Sequence, residues 1–219
     1  MKKTDYTFER FVSTSSNIFA RRAAEAVCME PGTKYNPLYL YGPPGVGKTH
    51  LLTAIENCFE ENRKHPVFIS GNRFLEELIK AIRGGKCEEF REKYRQADVL
   101  LIDNLQYIAG KEASQEEMLE IVEILKKAGK QIVIAADSAT GRMPEGFREE
   151  IQSFLATGLC VGMQMPDFEA RAVIVSERLK EYGIHWPKEA CNYVALKTAG
   201  NAYHIQGEIN NIIACKELI

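Results

Sequence analysis

The sequence lacks the features of a membrane protein, a secreted protein or a small metal-stabilised domain. No apolar stretch approaches the roughly 20 residues that a membrane-spanning helix needs. The first residues, MKKTDYTFERF, are charged and contain no apolar run of the kind found in signal peptides. The six cysteines lie far apart and form no CxxC pair, so zinc-ligand spacing is absent and reduced thiols are expected. These absences predict a cytoplasmic protein without a membrane segment.

The sequence also has little net charge. Lysine and arginine number 28 against 30 acidic residues, which gives a formal net charge of −2. No overall basic field draws such a chain to nucleic acid, so any DNA contact has to be local. His65 and His204 have no acidic residue or cysteine at ligand spacing, which argues against a histidine metal site.

The residues that are present follow an alternating pattern. Apolar runs typical of buried strands alternate with helical patterns as far as about residue 165, and only helical patterns follow Pro166. Such alternation predicts a parallel sheet with both faces covered. We expect an α/β subdomain at residues 1–165 and a lid subdomain of three helices at residues 166–219. The pair Ser114 and Glu117 predicts a capping box that opens a helix. The expected strands are residues 38–41, 67–70, 99–102, 132–135 and 158–163.

A glycine-rich stretch lies between the first expected strand and a helical pattern. Residues 42–49 are GPPGVGKT and match GxxxxGK[ST] in full. Gly45 and Gly47 let backbone N–H groups turn inward around phosphate oxygens, and the following helix directs its positive dipole end at them. Lys48 adds a positive charge and Thr49 offers a hydroxyl to Mg²⁺. The residues expected to bind the nucleotide are Gly42, Pro43, Pro44, Gly45, Val46, Gly47, Lys48, Thr49 and His50.

An aspartate closes the third apolar strand, in the stretch VLLID. Asp103 is expected to hold Mg²⁺ together with Thr49, beside the γ-phosphate. An aspartate at the end of a strand is by itself usually a turn residue, but the phosphate loop upstream makes the functional interpretation the better one. The sequence therefore predicts a site for ATP or ADP with Mg²⁺.

The chain as a whole resembles the AAA+ domain of the DnaA family of bacterial replication initiators. The matching stretches are YTFERF at 6–11, SNIF at 16–19, YNPLYLY at 35–41, GKTHLL at 47–52, ADVLLID at 97–103, GKEASQEE at 110–117 and QIVI at 131–134. The resemblance implies a P-loop AAA+ fold of class α/β, with a parallel five-stranded sheet, flanking helices and a three-helix lid. It places Asp137 at the family's first sensor position, so Asp103, Asn104 and Asp137 are the candidate catalytic residues.

Several positions depart from the family's pattern. Asn104 stands where the family has an acidic residue, and an amide is a far poorer proton acceptor. Phe154 stands at the position of the family arginine that reaches into the neighbouring subunit's ATP, and Glu150 stands at the position of a second family arginine. Tyr203 falls on the lid arginine that senses the γ-phosphate. Because hydrolysis needs a positioned water and cations at the γ-phosphate, we expect nucleotide binding with weak or absent hydrolysis.

The face that contacts single-stranded DNA in the family is altered as well. Ile79 and Lys80 lie in the matching helix and Lys111 is kept, but Ala113 replaces a family arginine. Acidic residues are interleaved with the basic ones in the charged helix that follows, so a solvated face is the simpler interpretation. Any DNA binding is expected to be weak and steeply dependent on salt.

Three functional hypotheses follow. The preferred one is a DnaA-like ATP-binding module linked to chromosomal replication initiation or its regulation, a monomer alone or part of a head-to-tail oligomer with an initiator partner. The second is an active ATPase of the initiator or helicase-loader type, with Arg142 or Arg148 as the arginine finger. The third is a nucleotide-independent interaction module, against which the complete phosphate loop argues.

Overall fold

The structure, a computed structural model, describes residues 3–198 and 202–218, with the side chains of residues 4, 202, 203 and 217 excepted. Five strands form one parallel sheet with the order β2-β3-β4-β1-β5. This confirms the predicted fold class. The strands are β1 (Leu38–Tyr41), β2 (Pro66–Ser70), β3 (Val99–Asp103), β4 (Gln131–Ala136) and β5 (Leu159–Gly162).

Helices cover both faces of the sheet, as a parallel sheet requires. Alternate side chains of β3 point to opposite faces, so Leu100 and Leu101 pack into the two different apolar cores, one on each face of the sheet. All five residues of β3 are buried, which explains the continuous apolar run in the sequence. The helices are α1 (Ile18–Met29), α2 (Lys48–Glu61), α3 (Gly71–Gly84), α4 (Cys87–Arg95), α5 (Glu112–Lys127), α6 (Glu149–Ala156), α7 (Phe168–Glu181), α8 (Lys188–Lys197) and α9 (Ala202–Leu218).

The last three helices, α7 to α9, form the lid and have their own apolar core, which includes Val175, Leu179 and Ile209. The side chain of Arg10 joins this lid to the N-terminal segment, with its Nη2 atom 2.7 Å from Oε2 of Glu181. A boundary between the subdomains after residue 165 stays a prediction. No helix within residues 3–198 and 202–218 is long and apolar enough to span a membrane.

Two features of the helices differ from those predicted. The predicted capping box is wrong, because α5 begins at Glu112 and Ser114 is a buried residue inside it. Glu117 instead accepts two hydrogen bonds from the guanidinium of Arg91, at 2.6 and 2.8 Å, and so joins α5 to α4. Helices α1 and α6 were not predicted from the sequence: α1 buries mainly alanines, and α6 has only 8 residues.

A fully buried amide connects the turn after β3 to the segment before α6. The side chain of Gln115 donates to the carbonyl oxygens of Ile108 at 3.0 Å and Gly146 at 2.6 Å. Its Oε1 atom accepts from the backbone N–H of Arg148 at 2.9 Å. The two carbonyl oxygens also accept from the backbone N–H groups of Lys111 and Gly110, at 3.1 and 2.9 Å, whereas the N–H of Arg148 is paired by this side chain.

We expect Gln115→Leu to lower the free energy of unfolding by about 2 kcal/mol, because it removes the three hydrogen bonds of this buried amide and leaves the N–H of Arg148 without its partner. Urea unfolding of the variant and the unmodified chain measures the difference. Gln96→Leu is the matched control, since the amide of Gln96 is exposed and donates to Glu92. Equal losses in the two variants would contradict the structural role given to Gln115.

Candidate nucleotide site

The loop between β1 and α2 has the backbone geometry of a phosphate cradle. Gly45 and Gly47 have φ angles of 85° and 103°, which side-chain-bearing residues rarely adopt. A Cβ atom at Gly47 would also lie 3.0 Å from the ring of Phe11. Gly47 is the N-cap of α2, so the free N–H groups of the first helical turn face the loop. Free N–H groups at a helix N-terminus form a ready site for an anion.

Lys48 is held inside this loop, with only 5% of its surface exposed. Its Nζ atom donates to the carbonyl oxygens of Gly42 at 2.5 Å and Pro43 at 3.1 Å, and to Oδ1 of Asp137 at 3.0 Å. An ammonium group has three hydrogens, so all of its donors are used. These contacts satisfy the buried charge and fix it at the mouth of the loop.

A hydroxyl and a carboxylate lie side by side next to the lysine. Oγ1 of Thr49 donates to Oδ2 of Asp103 at 2.6 Å, and Oδ1 of Asp103 accepts from the N–H of Asn104 at 2.8 Å. Burial raises the pKa of the Asp103 carboxyl, against the lowering effect of the hydrogen bonds from Thr49 and Asn104. Hard oxygen donors of this kind suit Mg²⁺, and the positive charge of a cation would favour the ionised carboxylate. The residues therefore fit the expected metal.

The carboxyl ends of β3 and β4 bring the three candidate catalytic residues together. Asn104 follows β3 in a left-handed conformation, with φ of 54°, and Asp137 follows the adjacent strand β4. Gln106 bridges them: its Nε2 atom lies 2.9 Å from Oδ2 of Asp137 and 3.3 Å from Oδ1 of Asn104. No motif marks Gln106 in the sequence, because the turn after β3 gives the residue this position.

A cavity of about 420 Å³ extends from the phosphate loop. One wall is formed by the loop and the ends of β3 and β4. The opposite wall is formed by Tyr6 and Phe11 of the N-terminal segment and by Ile174, Arg178 and Ile205 of the lid. Mixed apolar and polar walls of this kind are typical of small-molecule sites. Arg178 is a further basic side chain of the cavity, and no sequence motif marks it.

The predicted nucleotide-binding residues do not all face the cavity. Gly42 and Pro43 lie behind it and contact it through Lys48, while Asp103 contacts it through Thr49. The predicted residues that line the cavity directly are Pro44, Gly45, Val46, Gly47, Lys48, Thr49, His50, Asn104 and Asp137.

His50 holds the N-terminal segment against α2. Its Nε2 atom lies 2.8 Å from the carbonyl oxygen of Thr7, and its ring makes edge-on contacts with Tyr6 and Phe11 at centroid distances of 5.1 Å. Burial lowers the pKa of His50 to about 4. The neutral imidazole is therefore the form that the fold selects, and the segment that walls the cavity depends on it.

This lowered pKa predicts acid sensitivity of the fold. The unfolded chain binds a proton at His50 near pH 6.5, and the folded chain binds it only near pH 4, so stability falls as the pH drops through this window. Between pH 7 and pH 5.5 the expected loss from His50 is about 1 kcal/mol. Urea unfolding at both pH values measures it, with His50→Gln as the comparison. An equal loss in that variant would show that other groups cause it.

Neither alternative arginine lines the cavity of its own chain. Arg148 lies in ion pairs with Glu116 at 2.5 Å and Glu150 at 3.2 Å. Arg142 is exposed in a short 3₁₀ turn. Phe154, at the expected finger position, is buried against the core, with Nζ of Lys126 lying 5.2 Å from the centre of its ring. The side chain of Tyr203 lies outside the described residues.

The candidate DNA contacts lie away from the cavity. Ile79, with 46% exposure, and Lys80 are on the open side of α3, and Lys111 is exposed at the N-cap of α5. Basic side chains on α3 and α4 are engaged by neighbouring carboxylates, through the pairs Arg73–Glu77, Lys86–Glu89, Lys93–Glu77 and Arg95–Glu88. This pairing favours a solvated charged face, and DNA binding stays a prediction.

Comparison with known proteins assigns the family. The family model of the bacterial DnaA ATPase domain matches residues 2–162. The chain belongs to this DnaA family. The DnaA protein of Thermomicrobium roseum is 40% identical over 215 residues, which cover 97% of this chain and 46% of that protein. The DnaA protein of Chloroflexus aurantiacus is 41% identical over 218 residues, which cover 97% of this chain and 45% of that protein. The chain thus spans about half the length of these curated DnaA relatives.

Solved DnaA structures share the fold. Domain III of the Thermotoga maritima DnaA superposes with a TM-score of 0.92 at 37% identity, covering 98% of this chain and 90% of that chain. The AMPPCP-bound DnaA of Aquifex aeolicus gives a TM-score of 0.89 at 31% identity, covering 95% of this chain and 65% of that chain. A DnaA bound to AMPPCP and single-stranded DNA gives a TM-score of 0.90 at 31% identity, covering 95% of this chain and 64% of that chain.

Proposed function

We propose that the chain is an ATP-binding module of the DnaA type that acts in chromosomal replication initiation or its regulation, in the cytoplasm. The observation that carries this proposal is the phosphate loop, with the ammonium group of Lys48 held in it and the pair Thr49 and Asp103 beside it. The AMPPCP bound to related DnaA proteins supports it. We further propose that residues 1–165 carry the phosphate site and that residues 166–219 close over it.

The residues divide the work of binding. Gly45 and Gly47 have no side chain that would block the loop. Their backbone N–H groups can therefore donate to phosphate oxygens. Lys48 exchanges its contacts with backbone carbonyls for contacts with the β- and γ-phosphates. Thr49 and Asp103 would hold Mg²⁺, which supplies positive charge to the phosphate oxygens when it is bound. The mixed walls of the cavity would take the base and the ribose.

We infer that hydrolysis in this site is weak or absent. Asn104 can hydrogen-bond a water molecule but cannot take up its proton as a carboxylate would. The side chain of Phe154 carries no charge for a neighbouring active site, and a missing arginine finger costs on the order of 10³ or more in rate. Asp137 and Lys48 remain to bind and orient the nucleotide.

The partners proposed are a DnaA-type initiator and, weakly, single-stranded DNA. A subunit that accepts an arginine finger but offers none would end a head-to-tail filament, because such contacts propagate only if both faces work. Adding the chain to a filament-forming initiator with ATP should therefore shorten the filaments, and unchanged lengths would refute the idea.

DNA affinity measured by fluorescence anisotropy should fall steeply between low and high salt, and salt-independent binding would refute an electrostatic contact.

A single-turnover assay tests the nucleotide function. The protein at high concentration is mixed with γ-labelled ATP and Mg²⁺, and retained ATP and released phosphate are followed together. Retained ATP with almost no phosphate release is the expected result. Fast phosphate release would instead favour an active ATPase, and alanine replacement of Arg142 and Arg148 would then identify the finger. No retention of ATP would favour the nucleotide-independent interaction module.

A further inference from the structure

The amide that bridges the candidate catalytic residues has no role in the function proposed above. Gln106 lies in the 3₁₀ turn Leu105–Ile108 and lines the cavity. Its Nε2 atom donates to Oδ2 of Asp137 at 2.9 Å and to Oδ1 of Asn104 at 3.3 Å. An ionised carboxylate only accepts hydrogen bonds, so the amide nitrogen has to face Asp137. This contact fixes the orientation of the amide and turns its carbonyl oxygen the other way.

That carbonyl oxygen has no partner. Among the side chains that the structure describes, Oε1 of Gln106 is the only buried nitrogen or oxygen atom without a hydrogen bond. An unpaired buried acceptor costs about 1–3 kcal/mol. Buried polar groups in native proteins are nearly always paired, so this one requires an explanation. A donor that arrives with a ligand would remove the cost.

The position of Gln106 relates it to one end of the nucleotide. Asp137 lies between Gln106 and Lys48, since its Oδ1 atom accepts from Lys48 at 3.0 Å and its Oδ2 atom from Gln106. The lysine of a phosphate loop contacts the β- and γ-phosphates. Asp137 and Gln106 therefore belong to the end of the site where a triphosphate and a diphosphate differ.

We propose that Gln106 makes this site prefer ATP to ADP, an inference that rests on the proposed nucleotide function. The Nε2 atom keeps Asp137 and Asn104 in place, and Oε1 accepts a hydrogen bond from a water molecule ordered by the third phosphate. Gln106 lines the cavity, so a water molecule at the third phosphate would lie beside its side chain. ADP has no third phosphate to order that water molecule, so Oε1 stays unpaired. The preference is the difference between a satisfied and an unsatisfied acceptor.

Gln106→Leu tests the proposal, because leucine keeps most of the side-chain volume and removes both polar atoms. The dissociation constants of AMPPCP-Mg and ADP-Mg are measured by titration for the unmodified chain, for this variant and for Gln96→Leu as the matched exposed control. We expect the preference for AMPPCP over ADP to fall about tenfold in Gln106→Leu, since an unpaired acceptor is worth about 1–3 kcal/mol. The dissociation constant of ADP should change less than about twofold, and the control should keep the unmodified ratio.

The ratio of the two constants separates this role from a structural one. A packing defect would weaken both nucleotides equally, and that result, or an unchanged ratio, would overturn the proposal. If Gln106→Leu does not fold, Gln106→Asn replaces it, because its shorter amide cannot reach both partners and is expected to lose the preference as well. Failure of the unmodified chain to bind either nucleotide would refute the proposed function itself, whereas normal binding with an unchanged ratio in the variants would refute this inference alone.

Discussion

Replacing Lys48 by alanine should weaken binding of ATP-Mg about 100-fold. A hydrogen bond to a charged group contributes about 1.5–3 kcal/mol, and Lys48 directs a buried ammonium at the phosphates. Its loss also leaves the Asp137 carboxylate without its cation 3.0 Å away, so that a negative charge faces the incoming phosphates. The two effects add to about 3 kcal/mol, which corresponds to a factor of about 100 in the dissociation constant.

Isothermal titration of the nucleotide into each protein measures this change. Lys127→Ala is the matched control, because the Lys127 side chain is 80% exposed and lies on α5 outside the cavity. Urea unfolding of both variants checks that they fold. An affinity of Lys48→Ala within about threefold of the unmodified chain would be far less than a charged hydrogen bond is worth, and would place the nucleotide outside this loop.

Asn104→Asp should raise the single-turnover rate of ATP hydrolysis about 100-fold, because a positioned general base contributes about 10²–10⁴ in rate. Aspartate has the same shape as asparagine and tolerates the left-handed backbone conformation at this position. Its carboxylate can still accept the 3.3 Å hydrogen bond from Gln106. The change therefore alters the proton-accepting chemistry of the site with little effect on its structure.

The assay follows phosphate release from γ-labelled ATP at saturating protein, so that a change in affinity does not affect the rate. Asn211→Asp adds the same negative charge at an exposed position of α9 and serves as the control. If Asn104→Asp binds ATP but releases phosphate no faster than the control, the missing base does not limit the reaction. The slow hydrolysis would then be caused by the missing arginine side chains, one of which is replaced by Phe154.

The local features of the site could be predicted because they depend on neighbouring residues. The phosphate loop needs glycines at fixed spacing and a lysine and a threonine at the start of a helix, so GPPGVGKT was sufficient to locate it. The strand β3 is buried on both faces, and its apolar run ending in Asp103 shows this directly. The failed prediction at Ser114 has the opposite cause: a capping box and a buried helical serine can share one sequence pattern.

Contacts between distant segments could not be predicted in this way. Gln106 meets Asp137 because β3 and β4 are adjacent in the sheet, and the sequence pattern gives the strands without their order. His50 contacts Thr7 across 43 positions of the chain, and Arg10 contacts Glu181 across 171. The ion pair between Arg148 and Glu116 likewise depends on the packing of α5 beside the segment that contains Arg148.

The sequence by itself determined the class of the fold, the glycine-rich turn between β1 and α2 and the position of Asp103 at the end of β3, because each follows from short-range periodicity or from backbone geometry within a few residues. The tertiary structure decided how those residues are satisfied: which oxygens hold Lys48, which amide holds Asp137, and which acceptor is left without a partner. Hydrogen bonds and burial in a cavity depend on segments that lie far apart in the chain. Their pairing is fixed only when the sheet and the lid are packed.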